Sequence, residues 1–235
     1  MLIALPKGRL LPEIKKLFSK VGIEFDSDSR KLIIDTSVKE FKVAILRTWD
    51  IPKFVNYGAA DIGIVGKDIL YEINLDNNYY EALDLKLGLC RMSLASLEDQ
   101  LPANKKLKVA SKYPNFSKKY FSSISRDMDL LILKGAIEIA PILGLSDCIV
   151  DLVQTGKTLK ENGLKELEEI SQISSRLIVN KSSFKSKNNS IGNLPGQAML
   201  GRGRRGQAGQ AKSGRPRPGQ SRPGQVWPHH QDRPG

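Results

Sequence analysis

Cys148-Ile149-Val150-Asp151-Leu152-Val153-Gln154-Thr155-Gly156-Lys157-Thr158-Leu159-Lys160-Glu161-Asn162-Gly163-Leu164 is the stretch from which the architecture can be read. An apolar run rich in β-branched residues passes through a small polar turn into a helical segment that Gly163 stops, which is a strand delivered into a helix. The same unit recurs along the chain. Leu2 to Leu5 reads as a first strand, followed by a helix that Pro12 opens, with Ile14, Leu17, Phe18 and Val21 on one face and Gly22 at its end. Lys31 to Thr36 and Phe41 to Arg47 read as strands. Asp50 reads as the cap of a helix with Pro52 in its first turn and Ile51, Phe54 and Val55 inward, ending at Gly58. Asp61 to Gly66 is a buried strand feeding a helix near Lys67 and Asp68.

Tyr80 to Ser96 reads as a β-rich crossing into a second set of elements. These are strands at Leu107 to Ser111, Leu130 to Leu133 and Cys148 to Val153, with helices at Pro114 to Ile124 and Glu138 to Leu143. Ile170 to Asn180 then returns, extended, to the first set. Strands alternating with helices predict an α/β fold of two lobes, each with a largely parallel sheet, and a ligand cleft between them. The expected division is 1–90 plus 168–185 for lobe I, 91–167 for lobe II, and a low-complexity basic tail over 186–235.

The chain has 235 residues, 40% of them apolar and 26% charged, enough for lobes with real cores. No uninterrupted run reaches the roughly eighteen apolar residues of a membrane span, and Met1 to Lys7 lacks the layout of a signal peptide, so a soluble cytoplasmic protein is expected. Cys90 and Cys148 have no C-x-x-C spacing and read as small core residues without a disulfide. Both histidines, His229 and His230, lie at the far end of the chain. That excludes Ser/His/Asp and Cys/His nucleophile schemes and the H-E-x-x-H zinc helix from the globular part. Chemistry must run on carboxylates, lysines, backbone amides or a metal held by carboxylates and phosphates, and no resident metal site is expected.

The net charge of +12 is unevenly placed, because residues 186–235 hold nine Lys/Arg against Asp232 alone. They also hold ten of the 20 glycines and six of the 12 prolines, and repeat Pro-Gly-Gln at 195, 218 and 223. Such a composition cannot bury enough apolar surface to offset its ordering entropy, so disorder is expected there. Lysine dominates the basic residues upstream and arginine those of the tail, which reads as a frameshift or joined sequence beginning near Gly192. The competing reading takes Gly201 to Gly206 as an RNA-binding Arg/Gly segment.

A phosphate placed at Thr155-Gly156-Lys157-Thr158 would meet backbone amides, a helix N-terminus, two hydroxyls and an ammonium, with Asp151 upstream to accept from sugar hydroxyls. The alternative is an ordinary strand-to-helix turn that a threonine caps. A Walker A loop is excluded, since it needs Gly where Asp151 stands. Pro6-Lys7-Gly8-Arg9-Leu10, Arg47, and Asp61 through Asp68 all fall at strand ends, where ligands of α/β sheets bind.

Ala4-Leu5-Pro6-Lys7-Gly8-Arg9-Leu10, Ala60 to Asp68, Val109 to Asn115, Glu138-Ile139-Ala140-Pro141, Gly144-Leu145-Ser146-Asp147 and Asp151 to Leu164 occur in the order in which they stand in one family. Over residues 1 to about 185 the chain resembles ATP phosphoribosyltransferase, short form. The resemblance implies a two-lobed fold like that of the type II periplasmic binding proteins. It implies the first step of histidine biosynthesis, in which N1 of the adenine of ATP attacks the anomeric carbon of phosphoribosyl pyrophosphate and magnesium-bound pyrophosphate leaves.

Carried over by motif, the resemblance makes Lys7, Arg9 and Asp151 the candidate catalytic residues. Asp151 holds the ribose hydroxyls, and Lys7 and Arg9 take the polyphosphate side. Thr155, Gly156, Lys157, Thr158 and Leu159 hold the 5-phosphate, Glu138 orders the site, and Arg47 completes the substrate-binding set. Mg2+ is expected to arrive with the pyrophosphate. The implied partners are ATP, phosphoribosyl pyrophosphate and a regulatory subunit resembling histidyl-tRNA synthetase in a hetero-oligomer, with neither membrane nor nucleic acid. Gln154 departs from the family's usual acidic or small residue, and the Arg/Gly/Pro tail stands where relatives continue with ordered chain. A solute-binding protein without chemistry and an RNA-binding protein acting through its tail are the rival readings.

Overall fold

The computed structural model describes residues 1–73, 75, 78–103 and 105–186. The tail expected from 186 thus lies, from 187 on, outside the described residues, and with it the junction near Gly192 and the Arg/Gly segment. The chain begins β1 (Leu2–Pro6), α1 (Leu11–Ser19), β2 (Ile34–Asp35), β3 (Lys42–Leu46), α2 (Ile51–Asn56), β4 (Ile62–Gly66), α3 (Lys67–Glu72) and β5 (Tyr79–Asp84). It crosses to β6 (Cys90–Ser96), β7 (Leu107–Ser111), α4 (Pro114–Ser123), β8 (Met128–Ile132), α5 (Ile139–Ile142), β9 (Cys148–Val153), α6 (Lys157–Glu161) and β10 (Lys165–Ile173). It returns through β11 (Ser175–Asn180) and α7 (Lys181–Ser186).

Two sheets result, ordered β2-β3-β1-β4-β11-β5 and β10-β6-β9-β7-β8. Within the first, β3, β1 and β4 run parallel, and within the second β9, β7 and β8 do. Antiparallel strands complete both sheets, which are therefore mixed. The central parallel strands are mostly apolar because both faces are covered, with Lys42, Lys108 and Asp151 as interruptions, while the edge strand β8 is only partly buried. Ile3 and Leu5 of β1 pack with Ile14 and Phe18 of α1, while Ala4 between them packs with Ile51, Val55 and Ile178. In the second sheet Val109, Cys148 and Val150 meet Tyr120 and Phe121 of α4, and Ala110, Ile149 and Val153 meet Ala140 and Leu159 on the other face. Each such aliphatic side chain contributes about 1.5–3 kcal/mol by leaving water.

Five expectations are corrected. Of Lys31 to Thr36 only Ile34 and Asp35 form a strand, and Leu32 stands 88% exposed. Phe54 faces solvent, and Asp50 makes no side-chain cap; its carboxylate lies 3.9 Å from Lys53. The segment Tyr80 to Ser96 is not one crossing, since β5 stays with β11 in the first sheet and β6 belongs to the second, leaving 85–89 to connect them. Residues 168–173, expected in lobe I, pair with β6 as part of β10, so the return falls at Ser174.

The lobes are tied on both sides of these crossings. Lys67 donates its N–H to the Ser174 carbonyl at 3.0 Å, and the Leu85 and Ser175 amides donate to Ser175 and Leu87 at 2.9 and 3.0 Å. Burial alone would raise Asp84, but hydrogen bonds from Lys86 and from Ser174 (2.7 Å) and the Arg176 charge hold it down at about 2. Between α3 and α4, the Glu72 carboxylate accepts the amides of Asn115 at 3.0 Å and Phe116 at 3.1 Å, so a residue of one lobe caps a helix of the other. Tyr113 stacks on Trp49 with ring centroids 6.1 Å apart.

Candidate active site

Because β1, β3 and β4 are parallel, their carboxyl ends open in one direction, as those of β7 and β9 do in the other sheet. Residues beyond these ends line a cavity of about 540 Å3 between the lobes. This is where ligands of open α/β sheets are held. Lys7, Arg9, Glu138, Asp151, Thr155, Gly156, Lys157, Thr158 and Leu159 all line it. Arg47 does not: it is exposed beyond the end of β3, and its half-buried neighbour Thr48 faces the cavity in its place.

The loop after β9 has a defined shape. Gly156 has φ +74°, a left-handed conformation that costs a glycine nothing, and it is the N-cap of α6. The N-cap Gly156 has no side chain to cap the helix, but Thr155 Oγ1 accepts the Lys157 N–H at 3.4 Å, so a threonine does serve the first turn as in an ordinary strand-to-helix turn. Leu159, buried beside Ile149 and Val153, anchors α6 to the sheet and leaves Thr155, Lys157 and Thr158 exposed. Among the described residues no acceptor takes the Thr155 or Gly156 amide.

Asp151 stands near the carboxyl end of β9. Burial pushes its pKa up to about 6, the negative charges of Glu138 and Asp68 push the same way, and the Leu152 amide and Lys112 oppose them. Asp68, at the start of α3, is also raised by burial, although Tyr113 donates its hydroxyl to it at 3.0 Å across the lobes. A Cβ at position 66 would overlap the Asp68 carboxylate, so glycine there is what lets that carboxylate fold back beside the strand end. Burial likewise raises the Tyr113 hydroxyl, which stays a donor.

Several lining residues carried little signal in the sequence. Asp68 was legible as the end of a motif, whereas Thr48, Glu13 and Cys90 were not singled out for the cleft. Cys90 lines the cavity, with its thiol raised by burial. Gln154 gains a partner: Arg9 Nη1 donates to its Oε1 at 3.4 Å across the cleft.

A family model described as ATP phosphoribosyltransferase matches residues 47–197. The ATP phosphoribosyltransferase of Citrifermentans bemidjiense is 47% identical over 197 residues, covering 80% of this chain and 92% of its own length. The chain belongs to the ATP phosphoribosyltransferase family. That of Brachyspira hyodysenteriae is 50% identical over 194 residues, with 80% and 93% coverage. As a short-form ATP phosphoribosyltransferase, the chain transfers the phosphoribosyl group of phosphoribosyl pyrophosphate to ATP in histidine biosynthesis.

Among solved structures it is similar to the ATP phosphoribosyl transferase (HisG:HisZ) complex from Thermotoga maritima. The TM-score is 0.74 at 32% identity, covering 85% of this chain and 96% of that one. The periplasmic aliphatic sulphonate binding protein SsuA from Escherichia coli gives a TM-score of 0.54 at 14% identity over 88% of this chain and 75% of its own. That likeness is one of fold, the two-lobed binding-protein architecture, and the solute-receptor reading is set aside. The family's catalysis needs a metal ion. Among the described residues no helix is long and apolar enough to cross a membrane.

Proposed function

We propose a division of labour between the two walls of the cavity. Asp151 accepts from the ribose hydroxyls, Thr155 to Leu159 receive the 5-phosphate, Lys7 and Arg9 face the pyrophosphate, and Glu138 orders the site. The observation that carries this is the single cavity in which the loop after β9 confronts the loop after β1. Adenine N1 brings its own lone pair to the anomeric carbon, so the new N–C bond forms as the C–O bond to pyrophosphate breaks, and no base has to remove a proton. What remains for the protein is positioning and charge. The Asp151 carboxylate steadies positive charge on the ribose, and Lys7 and Arg9 compensate the negative charge that collects on pyrophosphate.

Mg2+ is the metal proposed, entering as part of the substrate. Among the described residues no group of three His, Cys, Asp or Glu is disposed as a metal cage. The cavity instead offers separate carboxylates, Glu13 and Asp68 among them, which suits an ion held chiefly by phosphate oxygens and water. Bound there, it would neutralise part of the leaving group's charge.

The Thermotoga maritima relative is solved as a HisG:HisZ complex. By extension this chain works in the cytoplasm in a hetero-oligomer with a regulatory subunit resembling histidyl-tRNA synthetase, through which histidine acts. Alone, it should be indifferent to histidine and gain both activity and inhibition when that subunit is added. Tight histidine binding by the isolated chain would overturn this.

The site assignment is tested by steady-state kinetics with ATP, phosphoribosyl pyrophosphate and magnesium, following pyrophosphate release. Thr158→Val should raise KM for phosphoribosyl pyrophosphate about tenfold, since it removes a hydrogen bond to a charged group. Its KM for ATP should stay put. Wild-type values for both substrates would remove the loop from the site.

A further inference from the structure

Arg91 is the residue that the reaction does not use and the geometry singles out. It lies on β6 opposite Val153, the last residue of β9, with its side chain 26% exposed. Its Nε and Nη2 donate to the two carboxylate oxygens of Glu166 on β10, at 2.5 and 2.6 Å. Its remaining nitrogen, Nη1, donates to the backbone carbonyl of Gln154 at 3.3 Å. Glu166 is itself held, because Ser93 donates its hydroxyl to Oε1 at 2.7 Å, and Ser93 lies opposite Asp151 in the β6–β9 ladder. Glu169 adds a second, more distant carboxylate at 3.8 Å. Nothing along β6 announces this arrangement, since its partners are 63 and 75 residues away.

We propose that Arg91, clamped by Glu166, is a positioning residue that sets the orientation of the loop after β9 and thereby its affinity for the sugar phosphate. The inference rests on the reading that Thr155 to Thr158 receive the 5-phosphate. In a planar trans peptide the carbonyl and the following N–H point to opposite sides of the chain. Holding the Gln154 carbonyl toward Arg91 therefore turns the Thr155 N–H to the opposite side of the chain, away from a residue that is not among those lining the cavity, whereas Thr155 itself is. Gly156, with its positive φ, then redirects the chain into α6. Without the clamp the 154–155 peptide can rotate and present its carbonyl oxygen, which repels a phosphate, where the amide should be. A planar guanidinium suits the task because it meets a carboxylate with two nitrogens and keeps a third for the carbonyl, which an ammonium cannot do in that geometry.

The test compares Arg91→Ala, Arg91→Lys and Glu166→Gln with the wild-type protein in both substrate dimensions, together with their thermal midpoints. Arg91→Ala should raise KM for phosphoribosyl pyrophosphate about tenfold while KM for ATP and kcat change by less than about twofold. Arg91→Lys should recover only part of the loss, and Glu166→Gln should lie between wild type and Arg91→Ala. Combining Glu166→Gln with Arg91→Ala should add nothing, because the two act as one unit. Equal rises in both KM values with a lowered thermal midpoint would show a merely structural role and overturn the proposal. If Thr158→Val impairs phosphoribosyl pyrophosphate and Arg91→Ala does not, the clamp fails while the loop assignment stands. If neither variant does, both fall together.

Discussion

The two loops that face each other across the cavity are built on opposite plans. After β1 the chain turns through Gly8 at φ +110° and presents Lys7 and Arg9 as exposed side chains, with Arg9 held, among the described residues, by a 3.4 Å hydrogen bond to Gln154. After β9 it is the backbone that is proposed to bind, with a glycine N-cap, Thr155 and Gly156 amides without acceptors among the described residues, and a carbonyl tied to Arg91. Long charged side chains can follow a group that changes its bonding, which suits pyrophosphate as it departs. Fixed amides suit a 5-phosphate that stays attached to the ribose from substrate to product.

This contrast can be sharpened in several ways. Asp151→Asn should show the largest effect, a fall in kcat/KM for phosphoribosyl pyrophosphate of about 100-fold or more, because it weakens two hydrogen bonds to a charged acceptor. Stopped assays at saturating ATP measure it. Next, kcat/KM for phosphoribosyl pyrophosphate should fall as pH drops through about 6, where Asp151 takes a proton, and Asp151→Asn should abolish that inflection. The same raised pKa has a stability sign. The empty site binds a proton more tightly folded than unfolded, so the contribution is fully present below the ordinary carboxylate value of 3.8 and lost as pH rises through about 6. Asp151→Asn should therefore stabilise the ligand-free protein near pH 8, by about 1–3 kcal/mol in urea unfolding.

Smaller still is the difference in salt response. Arg9→Ala should weaken phosphoribosyl pyrophosphate binding about tenfold and flatten its dependence on ionic strength, whereas Thr158→Val should leave that dependence unchanged. Equal salt slopes for the two variants would erase the distinction between the walls. The smallest effect belongs to the tail: a chain ending at Lys185 should keep its thermal midpoint and turnover, since every residue proposed for the site lies before it and the tail's composition offers no core.

The order of these contributions explains what could be read in advance. Strands β1 and β4 announce themselves because burial on both faces demands a near-continuous apolar run, β7 and β9 because only Lys108 and Ser111 or Asp151 depart from one, and Gly22, Gly58 and Gly163 mark turns with positive φ. The loop after β9 is legible for the same local reason, since its strand, glycine and helix are consecutive. What escaped is set by distant partners. The β10 strand, Lys165 to Ile173, carries charged residues and two register shifts, between Glu166 and Glu168 and between Glu169 and Ser171, so no alternation betrays it. Arg47 satisfied the rule that strand ends bind ligands, yet Thr48, one residue on, took the cavity. The sequence could mark the strand end but not the side-chain direction there.

Crossed binding of the two substrate halves tests the central claim most directly. Ribose 5-phosphate and magnesium pyrophosphate are titrated separately, by calorimetry, into the wild-type protein, Thr158→Val and Arg9→Ala. Thr158→Val should lose affinity for ribose 5-phosphate by about tenfold and keep that for pyrophosphate, and Arg9→Ala should do the reverse. Parallel losses of both ligands in both variants, or the opposite crossing, would contradict the division of the cavity into a sugar-phosphate wall and a pyrophosphate wall.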